Sequence, residues 1–236
     1  VYHARYLDTP SNEVALKVLL TQKGAEDVRS ANAQRLRREA QALVSATHRY
    51  VIRLGDFHSV GDFCYLSMEY APLSDLRKYV MRGGAVLSLT QSRLFMRQVA
   101  EALAFIHKAG IVHRDIKQDN VLVINDREIR LADFSAALLP GDESSLEELQ
   151  RGVGSMDYMA PEVLRGETFA SRSDIYSFGV MFYELISGRH PFANVSLAKQ
   201  LEVREDGGFP ALTEVAPFVT DELAEIVASC LKFDPQ

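Results

Sequence analysis

Cysteine is scarce in this sequence. Cys64 and Cys230 are its two, far apart, in no metal-ligand spacing and set among apolar neighbours. They read as buried free thiols, which suits a reducing compartment. Long apolar runs are missing as well: none approaches the roughly 18 residues of a membrane span, and no signal peptide opens the chain. No membrane contact is expected from these residues, and a cytoplasmic location fits. Excess positive charge is also absent. Lys and Arg number 26 against 32 Asp and Glu, a formal net charge of −6, which argues against nucleic acid as a partner because a phosphate backbone wants a basic face. No internal repeat or low-complexity tract interrupts the chain. The composition, 47% hydrophobic and 25% charged over 236 residues, is that of a globular protein large enough for one domain or two lobes sharing a cleft.

The stretch around which the rest is arranged is IVHRDIKQDNVLV, Ile111–Val123. Two short apolar runs, Ile111–Val112 and Val121–Ile124, flank a polar core and read as short strands or strand-like turns that aim Asp115, Lys117 and Asn120 into a cleft. These three supply a base, a cation and a neutral oxygen ligand, the set phosphoryl transfer asks for. Taken alone, the cluster also reads as an ordinary polar loop.

Upstream, Val1–Leu7 and Glu13–Leu20 read as strands split by a DTPSN turn, and the second carries Lys17 in an apolar run. Lys17 fits a solvent-facing position; it also fits a buried partner for Glu39, which lies one turn before Leu43 on a helix expected over 26–46. Tyr50–Leu54 and Phe63–Glu69 read as further strands joined at SVGD, and Ala71-Pro72 ends the pattern. The lobe boundary is expected here, giving lobes over 1–70 and 71–236. In the second lobe a short helix is expected from Asp75 to Met81. A long helix capped by Thr90 and closed by Gly110 in the C′ position follows, then a strand at Glu128–Leu131. Pro140–Gly154 reads as a long acidic loop. Met159–Leu164, an apolar helix over Asp174–Ser187 and a last helix over Thr220–Leu231 complete the chain.

VALK at Val14–Lys17, Glu39, HRDIKQDN at His113–Asn120, Asp133-Phe134 and APE at Ala160–Glu162 occur in that order. Together they resemble the protein kinase family over essentially the whole chain. The resemblance implies an α+β fold of two lobes, a small antiparallel β lobe with one helix over a larger, mainly helical one. It implies ATP and Mg²⁺ as cofactors and a protein substrate with a Ser or Thr acceptor. Lys17, oriented by Glu39, would hold the α- and β-phosphates; Asp115 would take the hydroxyl proton; Lys117 would offset charge on the γ-phosphoryl group; Asn120 and Asp133 would bind Mg²⁺. Glu69–Ala71 resembles the hinge that pairs with adenine, behind a gatekeeper at Met68. Asp75 matches the ribose contact, and Val1, Ala15 and Leu122 match the apolar residues around the base. Leu43, Leu54, His113 and Phe134 match a stacked regulatory spine with Asp174 at its base. Lys117 is the residue of serine/threonine rather than tyrosine kinases, and Ser155 sits where such kinases contact the catalytic Asp and Lys. The run SDIYSFGVMFYELISGRHPF is most similar to bacterial members.

Three departures stand beside the resemblance. The Gly-rich loop would lie upstream of Val1, so the isolated polypeptide is expected to bind ATP weakly. The arginine that pairs with the glutamate at position 162 would lie beyond Gln236, so Glu162 is expected to lack its partner. Ser135 replaces the glycine after Asp133-Phe134; a serine is restricted at positive φ, so altered inactive states are expected rather than lost chemistry. This last departure supports the alternative of a pseudokinase-like ATP-binding or scaffolding module. A small-molecule kinase is disfavoured by the APE segment and the GSMDY loop before it. Arg114 before the catalytic Asp implies a switch through phosphate on the loop, with Ser144 and Ser145 as candidates; Ser145 with Glu148 spells a helix capping box equally well.

Overall fold

The computed structural model describes residues 1–9, 11–20, 26–60, 63–83, 87–141, 155–193, 195–196 and 199–232, the side chains of 20, 26–35, 59 and 60 excepted. The turn at Gly61-Asp62, the loop serines Ser144 and Ser145, and the terminal Asp234-Pro235-Gln236 lie outside the described residues.

The first part of the chain builds a four-stranded antiparallel sheet of order β1-β2-β4-β3 from β1 (Tyr2–Arg5), β2 (Glu13–Leu20), β3 (Leu54–Val60) and β4 (Phe63–Glu69). Strand β2 pairs Ala15 with Met68 and Lys17 with Leu66. The period of two puts Ala15 and Lys17 on one face. Helix α1 (Glu26–Ser45) packs on the sheet. Its residues Leu36, Glu39, Ala40 and Leu43 are all buried, the i, i+3, i+4, i+7 stripe of a helix laid on a core. Glu39 is the charged member of that stripe and is therefore carried inward.

The second part is helical around one small hairpin. Its elements are α2 (Leu76–Arg82), α3 (Leu89–Lys108), β5 (Val121–Asn125), β6 (Glu128–Leu131), α4 (Pro161–Leu164), α5 (Ser171–Ser187), α6 (Gln200–Glu205), α7 (Leu212–Val215) and α8 (Asp221–Cys230). Helix α3 buries Phe95, Val99, Ala102, Leu103 and Ile106 on one face, and Gly110 follows it at φ +74°, where a side chain would be strained. Helix α5 is apolar nearly all round, burying Tyr176, Phe178, Val180, Met181, Phe182, Tyr183, Leu185 and Ile186. It is the central post of this lobe. This is the α+β fold of two lobes that the resemblance implies. Among the described residues no helix is long and apolar enough to cross a membrane.

The structure corrects three expectations and adds a detail beside Ser135. Tyr50–Leu54 is not a strand of the sheet. Val51 bridges Leu131 of the hairpin, with Ile52 N–H donating to Leu131 O at 2.9 Å, and β3 starts only at Leu54. The apolar pair Val51-Ile52 is buried by packing between the lobes, which a short apolar run cannot distinguish from sheet pairing. The cap of α3 is Ser88, whose Oγ accepts from Gln91 N–H at 3.2 Å; Thr90 lies within the helix. Glu162 has partners among the described residues: Ser173 Oγ donates to it at 2.8 Å and Arg172 stands 3.8 Å away. The strained backbone near Ser135 belongs to Asp133, at φ +62°, while Ser135 sits without positive φ in a 3₁₀ turn over Phe134–Ala136.

Candidate active site

A cavity of about 400 Å³ opens between the sheet and the helical lobe. Val1, Ala15, Lys17, Glu39, Met68, Glu69, Ala71, Asp75, Leu122 and Asp133 all line it, joined by Asn120 and by His3, Ile52, Tyr70 and Lys78. At its back, Lys17 Nζ donates to Glu39 Oε2 at 2.7 Å and to Asp133 Oδ1 at 2.9 Å, closing gaps of 22 and 116 residues in sequence. Burial alone would depress the Lys17 ammonium. The two carboxylates outweigh it and hold the group above the ordinary lysine value. For Asp133, burial pushes the carboxyl up, but Lys17 and a hydrogen bond from Ser135 Oγ at 2.7 Å prevail and bring it below the usual range. Glu39, 1% exposed, is raised, because burial outweighs its lysine.

At the cavity edge, Arg130 holds the Glu69 side chain. Its two oxygens accept from Arg130 Nε and Nη2 at 3.0 and 3.1 Å. Asp75 caps α2, accepting from Lys78 N–H at 2.8 Å and Lys78 Nζ at 2.7 Å. His3 stacks on Tyr70, with ring centroids 4.0 Å apart; nothing in the sequence pattern pointed to this pair, which sequence separates by a whole lobe.

Asp115, Lys117 and Ser155 form a second cluster joined to the cavity-lining Asn120. Lys117 Nζ lies 2.7 Å from Asp115 Oδ2 and donates to Ser155 Oγ at 2.9 Å. Ser155 Oγ in turn donates to Asp115 Oδ1 at 3.3 Å. Asn120 Nδ2 donates to Asp115 O at 2.7 Å and to Asp115 Oδ2 at 2.8 Å. The amide nitrogen being spent on Asp115, the side chain of Asn120 keeps its carbonyl oxygen for a cation. Just before the cluster, the backbone N–H groups of His113 and Arg114 donate to the two oxygens of Asp174, each at 2.8 Å. His113 Nε2 bonds Ala132 O at 3.1 Å and its ring meets Phe134 at 4.7 Å. Arg114, 5% exposed, adopts φ +67° and donates through Nε to Ala136 O.

Two features escaped the sequence. Arg204 is 1% exposed and donates to Asp157 O at 2.8 Å, Gln200 Oε1 at 2.7 Å and Met159 O, gripping the backbone just after Ser155. Arg77 reaches from α2 to Asp119 and Tyr158. Neither belongs to a motif, and only the folded chain brings their partners together.

The family profile described as the protein kinase domain matches residues 1–236. A probable serine/threonine-protein kinase of Streptomyces coelicolor is 34% identical over 245 residues, covering 100% of this chain and 35% of its own length. A probable serine/threonine-protein kinase of Clostridium acetobutylicum is 32% identical over 203 residues, covering 86% of this chain and 30% of its own. The chain thus spans about a third of the length of these curated relatives. With the lysine–glutamate–aspartate cluster and Asn120 of the HRDIKQDN loop lining one cavity and the family profile matched from end to end, the chain belongs to the protein kinase family.

Proposed function

We propose that this chain transfers the γ-phosphoryl group of ATP to a serine or threonine hydroxyl of a protein substrate. The observation that carries the reading is one cavity lined by Lys17, Glu39, Asp133 and Asn120, with Asn120 bonded to Asp115, which Lys117 and Ser155 join. The serine/threonine assignment is supported by Lys117 and by the names of both relatives.

The donor set fits the groups such a reaction needs. Lys17 and Ser135 both take Asp133 Oδ1, so Oδ2 can serve a cation beside the carbonyl oxygen of Asn120. Two hard oxygens suit Mg²⁺, which usually completes its shell with phosphate and water. When bound, ATP–Mg²⁺ would supply the phosphoryl group and neutralise charge developing on it. Lys17, its ammonium held cationic and fixed by Glu39, would grip phosphate oxygens. Asp115 would accept the hydroxyl proton through a carboxylate oriented by Asn120 and Ser155. Lys117 would place a positive charge within reach of the group in transit. Ser135 leaves this set whole and adds a bond to Asp133, which favours catalysis over a silent binding module.

The test is phosphate incorporation from ATP–Mg²⁺ into a mixed protein substrate by the full chain and by Asp115→Asn. Removing a general base is expected to slow transfer by about 10²–10⁴-fold. Equal incorporation by the two proteins would refute the catalytic reading, and label found on tyrosine alone would refute the acceptor class.

A further inference from the structure

The turn that brings Ser155 to the catalytic loop is held from behind by its carbonyls. Ser155 Oγ donates to Asp115 Oδ1 at 3.3 Å and accepts from Lys117 Nζ at 2.9 Å, and a 3₁₀ turn over Met156–Tyr158 follows at once. Arg204 Nη2 donates to Asp157 O at 2.8 Å and to Met156 O at 3.2 Å, and Ser177 Oγ donates to Tyr158 O at 2.8 Å. The remaining grip is an imidazole. His190 Nε2 bonds Asp157 O at 3.1 Å, while Phe192 N–H donates to His190 Nδ1 at 3.2 Å. The ring stands edge-on to Tyr158, with centroids 5.7 Å apart at 89°. Of these three holding side chains, His190 is the one whose charge changes near neutral pH.

Its two bonds define its protonation state. A carbonyl only accepts and a backbone N–H only donates, so Nε2 carries the proton and Nδ1 does not. The geometry therefore fits one neutral tautomer. A second proton would go to Nδ1 and point at Phe192 N–H, donor against donor. It would also set a second cation beside Arg204, which shares Asp157 O with the ring. The charged groups facing the imidazole are Glu184 on α5, Arg204 on α6 and Asp157 on the turn itself, and Arg189 precedes it in the chain. Burial, against the pull of Glu184, holds the ring below the ordinary 6.5. The neutral form is thus complete above 6.5 and is lost as pH falls through the folded value. A charged ring has to turn off Phe192 N–H, and its hold on Asp157 O turns with it.

We propose that His190 is a positioning residue: its neutral imidazole latches the turn behind Ser155, and protonation releases the latch and loosens the Ser155 hydroxyl that orients Asp115. The consequence for phosphoryl transfer rests on reading the chain as a protein serine/threonine kinase; the latch itself does not. The lever is short. Asp157 is two residues beyond Ser155, and Tyr158 N–H donates to Ser155 O at 2.9 Å, so a shift at Asp157 is passed directly to Ser155.

The experiment compares the full chain with His190→Gln, whose amide can donate to Asp157 O and gains no proton, and with His190→Phe, which keeps a ring and loses both bonds. One readout is kcat/KM for a serine peptide from pH 8 to pH 5. The other follows the His190 ring by NMR titration, together with hydrogen-exchange protection factors of the Tyr158, Met159 and Phe192 amides. The kcat/KM of the full chain relative to His190→Gln is expected to be level from pH 8 to pH 6.5. It should then fall about five- to tenfold as the His190 ring titrates, the effect of one lost hydrogen bond. The ratio cancels the titration of Asp115 and of the peptide. His190→Phe should be slower than His190→Gln at pH 8, a rescue that filling space alone would not give. Protection of the three amides should drop over the same pH interval in the full chain and stay level in His190→Gln. Should His190→Phe fold poorly by circular dichroism, the full chain's own titration against His190→Gln carries the test. A His190 ring that stays neutral down to pH 5, or protection unchanged through its titration, would overturn the proposal. Protection that falls with the ring while no version transfers phosphate keeps the latch and refutes the kinase reading. Transfer with a level ratio refutes the positioning role.

Discussion

Ser135 stands where the resemblance expects a glycine beside the candidate site, and the bond its hydroxyl makes can be measured. Ser135 Oγ donates to Asp133 Oδ1 at 2.7 Å, the oxygen that also accepts from Lys17. A hydrogen bond to a charged acceptor contributes roughly 1.5–3 kcal/mol when sheltered. The Asp133 side chain is 41% exposed, so water would replace part of what is lost, and about 1 kcal/mol is the fair expectation. Ser135→Ala removes that bond and keeps the backbone stiff. Ser135→Gly removes the bond and adds chain freedom costing about 0.5–1 kcal/mol more. For a chain of this size each kcal/mol moves Tm by roughly 2–4 °C. Calorimetric Tm is therefore expected to fall by about 2–4 °C for Ser135→Ala and about 3–8 °C for Ser135→Gly. A double-mutant cycle with Asp133→Asn should return a coupling near 1 kcal/mol. Because the bond also fixes the carboxylate that would meet Mg²⁺, Ser135→Ala should weaken Mg²⁺-dependent nucleotide binding by less than about tenfold. A vanishing coupling, with unchanged Tm in Ser135→Ala, would refute the reasoning.

Lys17→Met strands Glu39, which is 1% exposed; the cost should reach about 3–5 kcal/mol at neutral pH. It should shrink on acidification as Glu39 takes a proton, and adding Glu39→Gln should recover most of it. Urea midpoints at pH 5 and pH 8 would read both effects, and equal losses at the two pH values would count against the buried charge. Arg204→Ala strips a donor from three backbone carbonyls and Gln200, of which Asp157 O keeps His190 Nε2 and Met156 O keeps the Met159 N–H, an expected loss of about 3 kcal/mol by urea unfolding. Arg204→Lys should rescue little, since an ammonium cannot span those acceptors. His190 carries the pH prediction. Burial, against the pull of Glu184, holds its folded value below the ordinary 6.5. The unfolded chain then binds the proton more readily, so the stability owed to neutral His190 is complete above 6.5 and is lost as pH falls through the folded value. His190→Gln should flatten the decline in urea midpoint between pH 7 and pH 5; an unaltered slope would assign that decline elsewhere.

Much of the site was legible because its residues sit in runs whose neighbours fix their direction. Lys17 lies mid-strand in EVALKVLL, so the period of two sends it where Ala15 goes. Glu39 lies in the apolar stripe of α1, so the helix period carries it inward. Asp115, Lys117 and Asn120 lie between two apolar clamps. What could not be read are contacts that depend on the path of the chain between elements. Arg77 is a charged residue on a short helix like any other until α2, the catalytic loop and α5 are brought together. Ser135 has a role only because Asp133 takes φ +62° and turns its carboxylate back over the 3₁₀ turn. Val51-Ile52 is as apolar as a strand, and only the neighbouring hairpin decides that it bridges lobes. Helices α6 and α7, of six and four residues, are too short for a period to show.

The catalytic loop does not hold its own shape; α5 holds it. Arg114 at φ +67° and Asp133 at φ +62° are left-handed non-glycine residues, each costing about 1–2 kcal/mol. Against the first, Asp174, 1% exposed on the central helix, accepts from the N–H groups of both His113 and Arg114 at 2.8 Å. Two bonds to a buried carboxylate outweigh a strain of that size. Against the second, His113 bonds Ala132 O and packs on Phe134, bracketing Asp133 from both sides. His113 Nδ1 also accepts from Asp115 N–H at 3.3 Å, which leaves Nε2 as the protonated nitrogen donating to Ala132 O. One imidazole thus ties the backbone of Asp115 to the backbone before Asp133, and one carboxylate ties His113 and Arg114 to the core. The two clusters are therefore registered against each other from beneath, through Asp174 and His113.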